Sequence, residues 1–327
     1  AKHGETLQSH FLHLFFLVAP DFFKVASVIP LIETHRAVVE VALRLKKTAN
    51  DMCDVIAGRT THPVSFCVGG MSKIPDKKML AKIKKDLLDR IPDVEQAVGL
   101  FSTLKMPEFI RETEFVSLKG ETNYPWIGGK LISSDGVEKA ENDYLDMTNE
   151  YVVDFSTSKF TKLSRKSFAV GALARFNNNY TFLNKPAKAL AEQLNFKPVN
   201  HNPFMFNAAQ LVESVHALYE SIDMINELLD SDIGEIRVPY DVKEGEGIGA
   251  VEVPRGILYH HYQINDKGKI EKANCIIPTT QNNANIHYDI AELVKQEVKK
   301  GEADAHVTLM SEMLVRAYDP CISCSVH

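Results

Sequence analysis

Apolar and polar positions alternate with a helical period through the first 58 residues. Leu7, Phe11, Leu14, Phe15 and Val18 recur three and four apart, which predicts one helix with a wide apolar stripe. His10 and His13 lie beside that stripe, and Ala19-Pro20-Asp21 is expected to end it. A second long helix is predicted from about Ile32 to Ala57, with Val38, Val41, Ala42, Leu45, Ala49 and Met52 on one face and Gly58 as its C-cap. Gly58-Arg59-Thr60-Thr61-His62-Pro63 and Val68-Gly69-Gly70 read as a turn-rich link. A third helix, Asp76 to about Arg90, turns Lys77, Lys78, Lys82, Lys84 and Lys85 toward solvent.

From 115 to 160 the pattern shortens. Phe115-Val116-Ser117-Leu118 and Lys130-Leu131-Ile132 are β-leaning runs between Gly, Asn and Asp turns, so a small sheet is expected, with the single tryptophan, Trp126, packed against it. A long helix follows over about Asn207 to Leu229, with Leu211, Val215, Leu218, Ile222, Ile225 and Leu229 inward. Val251 to Gly256 and Leu258 to Tyr262 read as a strand pair. Gly268 turns a hairpin, Ile270 to Ile277 return, and Pro278-Thr279-Thr280-Gln281-Asn282 end it. The predicted class is mainly α with small β excursions (α+β), around a core of long antiparallel helices. It is expected as one domain over 1–327: a helical core at about 1–110 and 160–232, a β-rich excursion at about 115–160, and a strand pair with a C-terminal tail at about 245–327.

Hydrophobic content of 45% and charged content of 24% are ordinary for a globular chain. A net charge of −6 lacks the basic footprint of a nucleic-acid binder. The most apolar run, Phe11 to Ala19, is too short to cross a bilayer. Five cysteines, an odd and scattered set, do not form a disulfide framework and fit a reducing compartment. Gly245-Glu246-Gly247-Ile248-Gly249 lacks the Gly-Lys-Ser/Thr ending of a phosphate loop, so nucleotide binding is discounted. Ala1-Lys2-His3-Gly4 reads as the middle of a helix, so a preceding segment is expected.

The chemistry concentrates in the last nine residues, Asp319-Pro320-Cys321-Ile322-Ser323-Cys324-Ser325-Val326-His327. Asp319-Pro320 is a helix-start pairing: a capping oxygen followed by a ring fixed at helical φ. One short turn after it would bring both sulfurs to the same side, near backbone N–H groups that favour thiolates. Such thiolates are soft ligands for iron, nickel, zinc or Fe–S centres, but two do not complete a site.

Arg316-Ala317-Tyr318-Asp319-Pro320-Cys321-x-x-Cys324-x-x-His327 resembles the C-terminal signature of the nickel–iron hydrogenase large subunit. Ending on that histidine resembles the matured form of such a chain. Ser9-His10 with Ala19-Pro20-Asp21, Gly58-Arg59-x-x-His62-Pro63, Val170-Gly171-Ala172-Leu173-Ala174-Arg175 (Ala172 standing where proline is usual), Pro254-Arg255-Gly256 and Pro278-Thr279-Thr280 resemble further blocks of that family. The His260-His261-Tyr262 variant resembles its cytoplasmic, cofactor-coupled or bidirectional branch.

The resemblance implies reversible heterolytic cleavage of H2 at a Ni–Fe centre whose iron carries CO and CN ligands. Cys321 would be a terminal nickel ligand and Cys324 a bridging one. Arg255, Thr279 and neighbouring groups around Pro254 and Thr280 would serve the cyanides, and Arg255, flanked by Asp21 and Asp319, would act over the open metal position. His10 would lie on the helix beside the centre. His327 and the backbone carbonyl of Cys275 would bind a second metal, Mg or Fe. The family's N-terminal block with its other two metal cysteines has no counterpart here, and Cys53 and Cys67 do not replace it. An N-terminal large-subunit segment, an Fe–S small subunit near the tail and first helix, and further electron-transfer subunits are the partners implied. Two other classes compete: a metal-free relative of the kind at the quinone site of respiratory complex I, and a structural zinc protein using Cys321, Cys324 and His327.

Overall fold

The structure, a computed structural model, describes residues 1–326. The chain divides into two compact units: residues 1–105, 184–190 and 211–242 form the first, and residues 106–183, 191–210 and 243–327 the second.

The first unit is helical. Helix Lys2–Leu12 runs into a π-helical turn, His13–Val18, and then a further turn, Ala19–Phe22. Pro20 therefore does not break the helix as the sequence predicts. The wide turn closes with the Ala19 N–H donating to Leu14 O, so Pro20 falls at the first position or two of a new turn, where a missing N–H costs little. The second long helix spans Arg36–Ala57 and ends on Gly58 at φ 79°, as its sequence predicts. His35 separates it from the short turn Leu31–Thr34. Its buried face is Val39, Val41, Ala42, Leu45, Thr48, Ala49, Met52, Cys53 and Ala57, with Val38 half-buried at the margin. Helix Lys77–Asp89 starts on the Asp76 cap, and Lys82 and Lys85 pair with Asp86 and Asp89 one turn on. Helix Ile91–Thr103, which the hydrophobic pattern did not reveal, follows directly. No helix among the described residues is long and apolar enough to cross a membrane.

Helix Phe206–Asp230 supplies the polar interior of this unit. His10 Nε2 lies 2.9 Å from Glu213 Oε2, both fully buried. His3 Nε2 lies 2.5 Å from Glu220 Oε2, with His216 Nε2 at 3.2 Å from the same oxygen. A step of seven along one helix is matched by seven back along the other, so the two run antiparallel. Burial would raise the Glu220 carboxyl, but the imidazoles of His216 and His3 outweigh it and hold the group well below the ordinary carboxylate range. A carboxyl lowered in the folded state adds stability that is present above its unfolded pKa, about 4.3, and lost as pH falls through the folded value. Denaturant midpoints of the parent should therefore fall as pH drops from about 5 to about 3. Glu220→Gln should flatten part of that fall and lower the midpoint at neutral pH. An unaltered acid limb would remove Glu220 from acid stability.

The second unit holds two sheets. In the four-stranded one, Glu114–Leu118 pairs antiparallel with Leu131–Ser133 and parallel with Phe168–Ala169, and Glu138–Lys139 closes the edge. The other is a three-stranded meander of Gly245–Val253, Gly256–Ile264 and Ile270–Ile276. The glycine-rich run Gly245 to Gly249 is thus an edge strand. Val116, Leu118, Leu131, Phe168, Val170, Ile257, Tyr259 and Ile276 pack together as the core of this unit. Pro278 does not simply end the hairpin, as its sequence suggests. It opens the helix Pro278–Lys300, whose C-cap is Gly301, and Asp304–Ala317 follows. Proline is well placed there, because the first helical N–H has no partner to lose.

Candidate metal centre

Three segments of the second unit converge on Arg255. The first is the Pro254-Arg255-Gly256 turn between two strands. Arg175, fully buried on helix Ala172–Asn179, donates from Nη1 to Glu252 Oε2 (2.9 Å) and to Val253 O (2.9 Å), and from Nη2 to Pro254 O (3.1 Å). Trp126 lies under this guanidinium, its ring centroid 5.7 Å from Arg175 Cζ. Trp126 therefore packs, as its sequence context predicts. The second segment is Val170-Gly171, which passes so close that a Cβ on Gly171 (φ +112°) would stand 3.0 Å from Arg255 O. Asn282 holds it there, accepting from Val170 N at 2.8 Å and donating to Val170 O at 3.2 Å.

The third segment is the C-terminal tail. Asp319 is buried at 2% exposure and adopts a left-handed φ of 51°. Arg255 Nε donates to Asp319 O (2.7 Å) and Arg255 Nη2 to Asp319 Oδ1 (2.8 Å), while Gln210 Nε2 donates to Asp319 Oδ2 (3.2 Å). The sequence casts Asp319 as a helix cap, and the structure corrects this. Its carboxylate is spent on Arg255 and Gln210, and the last helix, Ile322–Ser325, starts after Cys321 with no side-chain cap. The unusual φ has a physical reason, since it lets one residue present both its carbonyl and its carboxylate to the same guanidinium.

Cys321 N donates to Thr279 Oγ1 at 3.1 Å, which ties the tail to the first turn of helix Pro278–Lys300. Cys321 and Cys324 come together on one turn with Cα atoms 5.3 Å apart, and their sulfurs are joined in a disulfide. The sequence reading expects two free thiolates at these positions. The spacing that would place two donors on one ion also places two sulfurs within bonding reach, and reduction of the bond frees both on the same side of the turn.

Thr280 Oγ1, one residue from Thr279 and fully buried, has no hydrogen-bond partner among the described residues. Two sulfurs on one turn, an arginine fork held in place and a buried hydroxyl lacking an acceptor fit half of a thiolate-bound metal with anionic ligands. Of the other residues singled out from sequence, Pro254 is buried and Cys275 half-buried near the end of strand Ile270–Ile276. Asp21 is half-buried on the Ala19–Phe22 turn, and His10 is buried against Glu213; both belong to the first unit. His327 lies outside the described residues.

Sequence reasoning missed the residues that hold the tail. Tyr318 OH donates to Asp289 Oδ2 (2.5 Å) and accepts from Asn285 Nδ2 (2.6 Å), and Arg111 pairs with Asp289. Burial pushes the Asp289 carboxyl up, against the pull of Arg111 and the Tyr318 hydroxyl. The available signal was Gln281-Asn282-Asn283-Ala284-Asn285, too many amides for an ordinary helix start. Gln281 donates to Ile257 O at 2.7 Å, and Asn282 and Asn285 brace Val170 and Tyr318.

Residues 118–327 match the family described as Nickel-dependent hydrogenase. Sulfhydrogenase 1 subunit alpha of Pyrococcus furiosus is 33% identical over 330 residues, covering 99% of this chain and 76% of that protein. Sulfhydrogenase 2 subunit alpha of the same organism is 30% identical, covering 100% and 76%. A crystal structure of an NAD+-reducing [NiFe]-hydrogenase in the H2-reduced state superposes with a TM-score of 0.89 at 25% identity, over 100% of this chain and 78% of that one. On this likeness the mainly α fold with small sheets is that of the nickel–iron hydrogenase large subunit, and the chain belongs to the nickel-dependent hydrogenase family.

Proposed function

We propose that this hydrogenase subunit provides the C-terminal half of the ligand set for a Ni–Fe centre that cleaves H2 reversibly, with Cys321 and Cys324 as two of four thiolates. When bound, the centre supplies a Lewis acid that makes H2 acidic enough to lose a proton to a nearby base. Arg255 is held by Asp319 at a position fixed relative to Cys321, which is two residues on from that aspartate. Arg255, with the hydroxyls of Thr279 and Thr280, would serve anionic CN ligands on the iron, beside CO, and exclude water from them. His327 and the Cys275 carbonyl would hold Mg or Fe. The observation that carries the reading is the Arg255–Asp319 fork immediately ahead of two sulfurs on one turn.

Cys53, Cys67 and Cys275 are too scattered to hold an Fe–S cluster, so electrons would leave through a separate Fe–S small subunit in a cytoplasmic complex. Metal analysis joined to infrared spectroscopy tests the proposal. Nickel and iron should be retained, with CO and CN stretches, only when a segment carrying the other two cysteines accompanies this chain and the Fe–S subunit co-purifies. Full Ni and Fe occupancy on this polypeptide alone, or zinc in their place, would overturn it.

A further inference from the structure

The three-stranded sheet carries a second group of ligand-type side chains. Its register sets Gly249, His260 and Cys275 directly opposite one another, and the next row on the same face is Gly247, Tyr262 and Ala273. Strand alternation sends Ile257, Tyr259 and Ile276 to the other face, into the core. On the outer face Cys275 Sγ lies 3.4 Å from His260 Nδ1 and 3.5 Å from Tyr262 Oη, and Nδ1 and Oη are 2.8 Å apart. All three residues are half-buried. A Cβ added at Gly245, Gly247 or Gly249 meets nothing within 4 Å, so the strand beside the triad is bare backbone bordering open space.

We propose that Cys275, His260 and Tyr262 form a binding site for a borderline divalent cation such as Zn2+ or Co2+, with the fourth coordination position open above the glycine strand. The donor set is one sulfur, one imidazole nitrogen and one phenol oxygen, a mixture that selects such ions over Mg2+ or Ca2+. Tetrahedral zinc with Zn–S near 2.3 Å and Zn–N or Zn–O near 2.0–2.2 Å requires ligand atoms about 3.3–3.6 Å apart. Two edges of the triangle already have that length, and the His260–Tyr262 edge needs to open by about half an ångström. Sulfur and nitrogen come from paired strands, so the sheet ladder fixes their separation before any ion arrives, which lowers the ordering cost of binding. Binding exchanges the thiol proton for the metal and releases it to solvent. The Cys275 carbonyl assigned to the second metal is a backbone atom, and this side-chain site does not engage it.

The test is a titration of the purified complex, washed with a weak chelator, with Co2+ alone, followed by near-ultraviolet and visible absorption. One equivalent should give a thiolate-to-cobalt band and the strong visible bands of four-coordinate cobalt, both displaced by one equivalent of Zn2+. Cys275→Ser and His260→Gln, checked for folding by circular dichroism, should each weaken binding beyond the roughly 10–100-fold expected for loss of an outer partner. Tyr262→Phe should weaken it less. The same titration on a Cys321→Ser, Cys324→Ser chain should still give the bands, which keeps this site's outcome apart from that of the proposed Ni–Fe centre. Cobalt uptake identical in the parent and Cys275→Ser, or uptake without a thiolate band, would overturn the proposal.

Discussion

Arg255→Lys is expected to leave nickel and iron content unchanged and to lower H2 oxidation about tenfold or more, each factor of ten corresponding to roughly 1.4 kcal/mol of lost transition-state stabilisation. The arginine donates through Nε to Asp319 O and through Nη2 to Asp319 Oδ1, and this fork fixes the plane of the guanidinium. A lysine ammonium is a single point on a flexible stem. It can meet the Asp319 carboxylate or project past it, but it cannot hold both contacts and still present a fixed donor. No proposed metal ligand is removed, so the defect should appear in kcat with metal retained. Metal assay and H2 oxidation rate on the same purified complex decide the matter. Nickel lost in parallel with activity would make Arg255 a structural residue, and unchanged turnover would exclude it from the reaction.

Arg175→Met should destabilise the chain by about 3–5 kcal/mol, the usual cost of removing one member of a buried ion pair. Arg175 and Glu252 are both fully buried. With the arginine gone, the Glu252 carboxylate keeps its bond from Leu118 N at 2.8 Å but loses the counter-charge that Arg175 supplied. The carbonyls of Val253 and Pro254 lose donors at the same time. The double variant Arg175→Met, Glu252→Leu should recover much of that loss, because an apolar pair removes the stranded charge. It should not recover activity, since the carbonyls of Val253 and Pro254, which lead into Arg255, then lack their arginine donor. Denaturant midpoints of the four proteins in this cycle measure the coupling. A single-variant loss under about 1 kcal/mol would mean that the pair is worth no more than an exposed one.

Local features fixed much of what could be read from the sequence. Heptad-like apolar spacing determined Arg36–Ala57 and the inner face of Phe206–Asp230, because helical burial is periodic in sequence. Gly58, Asp76 and Gly268 marked ends and turns, because backbone caps depend on one or two adjacent residues. The C-terminal tail resembled the family's signature because its aspartate, proline and cysteines stand at fixed short spacings, which can be read directly along the chain. Helix Pro278–Lys300 stayed hidden because its first turns are buried amides, which carry no apolar period.

Tertiary structure alone decided the partners of those amides and of the charged groups. Asp319 looked like a cap, yet its nearest cation is Arg255, 64 residues away in sequence. Arg175 finds Glu252 across 77 residues, and Tyr318 finds Asp289 across 29. A buried charge must be paired, and its own sequence neighbourhood says that a partner is needed. Which residue answers depends on the strands and helices that carry both groups to the same place, and that information lies in the packing of the whole unit rather than in any local stretch of sequence.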